Sequence, residues 1–260
     1  MIFQIFCISL CILAPLRTVS GGNYYKSFAH SVLESLPDSI KPHFNSVFSQ
    51  IVQTCAQLET DRFENPDLAG LHFYYGKLPF AGNPHSAPNL VSSIQTSFDS
   101  LNFYYQVKNQ KKIIWFSGAI LHFCSEIAIP HRIHNGFLDT ELYDDLVLSE
   151  DEKLDSRNSV FKFQILNTSE RIEATHSVDL INIAFESNRL LAKEILELNL
   201  YEKANKSHSS DRRHKNGIKV MVSLYEGQPE QIRKMVEKAQ RLALDLLVSA
   251  VSGNQKTTNK

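Results

Sequence analysis

Apolar positions recur at three-and-four spacing along most of the chain, the period of a helix with one buried face. From Tyr25 to Leu36, the residues Phe28, Val32, Leu33 and Leu36 share a face, and Pro37 ends the element. Over 43–59 the pattern continues with Phe44, Val47, Phe48, Ile51, Val52 and Cys55. Proline and glycine punctuate 76–89, which reads as a loop, and a helix is predicted from Ser92 to Lys108. Residues 111–129 are apolar on almost every side, which predicts a buried helix. The stretch 139–158 carries eight acidic side chains and reads as a solvated excursion. A helix from Ile172 to Leu200 precedes a polar, basic loop, Lys203 to Gly217. Pro229 suits the first turn of a last helix, with Ile232, Met235, Val236, Ala239, Leu242, Ala243, Leu246 and Leu247 toward the core. There is no internal repeat and no convincing run of strands. The prediction is an all-α, single-domain multi-helix bundle.

Composition narrows this picture. A chain of 260 residues suits one domain, and 43% hydrophobic with 21% charged residues supports a large core and excludes wholesale disorder. The formal net charge of −1 supplies no global field toward duplex nucleic acid, so any phosphate binding must be local. Met1 to Ala14 is an uncharged apolar run, followed by Pro15 and the small-residue stretch Thr18–Gly22. That pattern reads as a secretory signal cleaved near Ser20 or Gly21. The expected layout is a signal peptide over 1–21, a helical domain over 22–252 and a flexible tail over 253–260. No later apolar stretch reaches membrane length, so the mature protein is expected to be secreted and soluble, with no stable protein partner. Cys7 and Cys11 would leave with the signal, and Cys55 and Cys124 would form either one bridge or two buried thiols. Asn167-Thr-Ser169 and Asn205-Lys-Ser207 are glycosylation acceptors consistent with secretion.

Candidate chemistry centres on the buried helix. Gly118, His122, Ser125 and Glu126 interrupt its apolar surface, and His122 and Glu126, four residues apart, project to one side. Burying a carboxylate costs several kcal/mol unless something positive meets it. An imidazole and a carboxylate aimed together suit a borderline metal ion; an isolated pair is more often a hydrogen-bonded core contact. Pro130 breaks the helix, and His131 and His134 follow at once. His30, Asp61, His72, His176 and Asp179 are further candidate ligands, several of them set among apolar neighbours. His43, His85, His208 and His214 lie among polar or loop residues and read as surface histidines.

Taken in order, these segments resemble the zinc-dependent phospholipase C and S1/P1 nuclease superfamily. The likeness rests on Ala29-His30, Leu71-His72-Phe73-Tyr74, Ile120 to Pro130 with His122 and Glu126, and Thr175-His176-Ser-Val-Asp179. It implies an all-helical phospholipase C/P1 nuclease-like bundle holding up to three zinc ions in one cleft, with a phosphodiester as substrate. By motif position, His72, His122 and Glu126 would share one pair of sites, and His176 with Asp179 would hold another. His30 and the new N-terminus would serve the third, and Asp61 would be a bridging carboxylate and partner of the attacking water. His131 or His134 would supply the histidine that the family places where Arg132 stands. The chain also departs from the family in Glu126 for aspartate, in a shorter His176–Asp179 spacing and in having no tryptophan at the expected mature start.

Phospholipid is the favoured substrate, at a membrane surface; Phe73, Tyr74, Tyr75 and Phe80 either dip into that surface or pack the core, the more common place for such residues. Single-stranded nucleic acid is the alternative, with aromatic side chains stacking on bases. A secreted binding protein with a decayed metal site is the non-enzymatic alternative.

Overall fold

A computed structural model describes residues 22–64, 87–133, 161–167, 176–197 and 227–255. The expected signal peptide, His72, His134, the acidic stretch over 139–158 and the basic loop lie outside these residues, as does most of the loop predicted over 76–89. Among the described residues every regular element is a helix, so the chain is all-α there. None of these helices is long and apolar enough to cross a membrane.

Helix α1 spans Gly22–Glu34, and the chain turns at Ser35 and Leu36 because Pro37 disfavours helical backbone just before it. The helix predicted over 43–59 is divided. Pro42 opens the short α2, Pro42–Asn45, and α3 then runs over Phe48–Glu64. The predicted face is kept across the break: Phe44, Val47, Ile51 and Cys55 are buried, and Phe48 and Val52 pack half-buried against the core. Helix α4, Ala87–Gln106, starts earlier than Ser92 because Pro88 falls in its first turn, where a missing N–H breaks no intrahelical bond.

Lys108, with φ of 53°, ends α4 in a left-handed cap. There the Asn109 N–H reaches the Tyr104 carbonyl at 3.0 Å and the Lys108 N–H reaches that of Tyr105 at 3.2 Å. Asn109 then caps α5, Gln110–Glu126, accepting from the Lys112 N–H at 3.2 Å. Helix α5 stops three residues short of Ile129 because Pro130 follows, and Pro130 itself opens α6, Pro130–Ile133. Helix α7 covers Ser177–Glu197 and α8 covers Pro229–Gln255, passing through Gly253.

Helix α5 is the axis of the molecule, packed against α1, α3, α4 and α8. Its residues from Ser117 onward are all buried, as an all-round apolar surface requires. Every core position predicted on α8 is buried too. Gly118 sits where α5 meets α3, and an added Cβ would stand 2.7 Å from Thr54 Cβ and Cγ2. Segment 161–167, which has no regular secondary structure, lies against α1 and α8. Its Leu166 N–H donates to Ser35 Oγ at 2.8 Å, and Gln240 Nε2 donates to the Gln164 carbonyl at 3.0 Å.

Candidate functional site

The C-terminal end of α5 is buried, and a buried helix end needs donors for its last carbonyls. Tyr24 donates its O–H to the Ser125 carbonyl at 3.0 Å, and Asn188 Nδ2 donates to the Ile127 carbonyl at 2.9 Å. The same Asn188 amide donates to the Met235 carbonyl at 2.9 Å, so one side chain of α7 ties α5 to α8. These contacts fix the turn that presents His122 and Glu126.

His122 is fully buried and Glu126 is 1% exposed. His122 Nδ1 lies 2.8 Å from the Cys55 carbonyl on α3. A carbonyl only accepts, so Nδ1 carries a proton and Nε2 is the nitrogen turned to Glu126. Nε2 stands 3.5 Å from Glu126 Oε1. Tyr25, on the first turns of α1, completes the cluster: its O–H donates to the same Oε1 at 2.6 Å, and its ring stacks on the His122 ring with centroids 4.4 Å apart. The Cys55 thiol in turn donates to the Tyr25 carbonyl at 3.5 Å. Three helices therefore meet on one imidazole and one carboxylate.

Cys55 and Cys124 are buried free thiols, the second of the two arrangements open to the sequence. Burial, with the Cys124 thiol and the Glu126 carboxylate close by, pushes the Cys55 thiol well above its ordinary range. Burial alone raises Cys124.

The other sequence candidates divide into those placed elsewhere and those left undescribed. His30 is turned outward on α1, with Nδ1 3.3 Å from Glu34 Oε1 and its ring edge-on to Phe48. His176 and Asp179 are exposed at the start of α7, His176 just before it with its carbonyl accepting the Leu180 N–H at 3.1 Å, and Asp179 in its first turn. Asp61 lies near the end of α3 and His131 in α6, but the placement of their side chains falls outside the description, as do His72 and His134 altogether. Among the described residues no three histidines, cysteines or carboxylates converge as a metal group.

Sequence reasoning missed Tyr25, Cys55 as a backbone acceptor, and Asn188. Tyr24-Tyr25 at the head of α1 is the only available signal, since an aromatic pair entering a core needs partners for two hydroxyls. No known protein-family model matches the chain, and no curated protein matches it in sequence.

Proposed function

We propose that the chain is a secreted, zinc-dependent phosphodiester hydrolase of phospholipase C type, built around His122 and Glu126. The reading is carried by the separation of their facing atoms. A direct hydrogen bond from a ring nitrogen to a carboxylate spans about 2.7–3.2 Å. Two ligands each about 2.0–2.2 Å from one tetrahedral zinc stand about 3.4 Å apart. The 3.5 Å between Nε2 and Oε1 is close to the second spacing, and with the ring proton on Nδ1 the two facing atoms are both acceptors, as two ligands of one cation would be. Cys55 supports it as well, because a ligating imidazole commonly donates its other N–H to a backbone carbonyl, which orients the ring.

His122 and Glu126 would hold the ion, joined by Asp61, His72 and His131 or His134 as the family resemblance implies. Bound zinc supplies Lewis acidity toward phosphate oxygens and acidifies water near neutral pH. The chain's own part is to keep His122 in the tautomer that leaves Nε2 basic, to hold Glu126 through Tyr25, and to exclude bulk water with the Tyr25 ring. Phospholipid head groups are the proposed substrate, at a membrane surface.

A second reading is favoured by Tyr25 itself. Its hydroxyl on Glu126 and its ring on His122 make a polar core contact that needs no cation, which suits a secreted binding protein. Elemental analysis of the purified mature chain separates the two. The enzyme reading expects bound zinc, release of phosphocholine from phosphatidylcholine, and loss of activity with a chelator or in His122→Ala. Cleavage of single-stranded DNA but not of phosphatidylcholine would make it a nuclease. A zinc-free chain that cuts neither substrate after zinc is added overturns the enzyme reading. Tyr25→Phe adds a check: it lowers zinc affinity about 10–100-fold if Tyr25 supports a ligand, and lowers only stability otherwise.

A further inference from the structure

Between α4 and α5 lies a cavity of about 270 Å³ that the His122–Glu126 chemistry does not use. Its two walls differ in kind. From α4 come Ser93, Thr96 and Ser97, spaced so that all three hydroxyls lie on one helix face. From α5 come Trp115, Phe116 and Phe123, with Lys112 at the open end. Ser93, Ser97 and Phe123 are buried and form the floor, while Thr96 and Lys112 are exposed and form the rim.

The aromatic wall is rigid. The Trp115 and Phe116 rings meet edge to face at 4.8 Å, and Phe116 stacks on Tyr104 at 5.4 Å. Flat apolar bodies pack well against such edges and faces. A cavity of about 150 Å³ accepts one benzene ring, so this one has room for a two-ring body. Lys112 supplies the charge. Its ammonium takes no salt bridge among the described residues, and its backbone lies in the first turn of α5, where the helix dipole adds attraction for an anion.

We infer that this cavity binds a small aromatic carboxylate, its rings against Trp115, Phe116 and Phe123 and its carboxylate on Lys112 at the rim. The inference is independent of the zinc reading, since no residue of the cavity is a candidate metal ligand.

Trp115 is the chain's single tryptophan, so one indole N–H resonance in ¹⁵N-labelled protein reports on the cavity. Titration with 2-naphthoate at neutral pH is expected to move that resonance to saturation below about 1 mM. Lys112→Gln is expected to weaken naphthoate about fivefold, the worth of one rim charge pair, and to leave uncharged 2-naphthol unchanged. Thr96→Phe, a rim substitution at an exposed position, is expected to block both probes. The inference is overturned if the indole resonance does not move, if naphthoate is indifferent to Lys112→Gln, or if octanoate binds as tightly as naphthoate. Retained helical circular dichroism in both variants keeps a negative result from being a folding defect.

Discussion

Gly118 marks the closest approach of α5 to α3, and alanine there tests how the two helices are held. Helix propensity alone favours the change by about 1 kcal/mol. Against it stands the Cβ, 2.7 Å from both Thr54 Cβ and Cγ2 and 3.1 Å from the Cys55 N, where ordinary contact begins at 3.4 Å. Helix α3 would have to retreat by about 0.7 Å, the difference between 3.4 and 2.7 Å. Thr54 cannot yield alone, because its β-branched side chain is stiff and its Oγ1 is bonded to the Gln50 carbonyl at 2.8 Å. Overpacking of a close-packed core costs about 1–3 kcal/mol, and a contact with a helix backbone belongs in the upper half of that range. The expected net loss is therefore about 1–2 kcal/mol, read as a lower urea midpoint with an unchanged slope. Thr54→Ala removes Cγ2 and should recover at least about 0.5 kcal/mol in the double variant. A Gly118→Ala chain more stable than the parent would refute the reasoning, since only propensity would then be acting. The site should feel the same strain: Cys55, which orients His122, moves with Thr54.

Lys108→Gly should stabilise the chain by about 1 kcal/mol, because the left-handed cap strains any residue with a Cβ; a Tm rise of about 2–4 °C is the reading. Asn188→Leu removes the donor shared by the Ile127 and Met235 carbonyls and should cost about 2–3 kcal/mol in denaturant titrations, with Asn188→Asp at least as damaging. The buried thiols give a pH signature. Their folded values are raised, so the unfolded chain binds fewer protons once the pH passes about 8.5–9. Their stabilising contribution is complete below that pH and declines above it, by up to about 1.4 kcal/mol per pH unit for each thiol. Stability measured from pH 7 to 10 should lose most of that slope in a Cys55→Ala/Cys124→Ala variant, and a slope that survives would locate the titration elsewhere.

The helical class was legible in the sequence because a buried face repeats every three or four residues whatever it packs against. Every core position predicted on α8 is buried, and the all-round apolar run became the central α5. Helix ends were less legible, since Pro42, Pro88 and Pro130 each open a helix where their sequence context reads equally well as a stop.

The sequence by itself also determined that His122 and Glu126 share a side, because a four-residue spacing on one helix fixes that before any tertiary contact forms. What they face was decided only by the fold. The Cys55 carbonyl comes from 67 residues away and the Tyr25 hydroxyl from 101, and both arrive because α1 and α3 pack on α5. His30 went the other way: its place on α1 puts it at the surface beside Glu34, although its neighbour Ala29 is buried. Periodicity encodes which residues share a face of one helix. Only packing decides which faces meet, because that depends on contacts between residues remote in the chain.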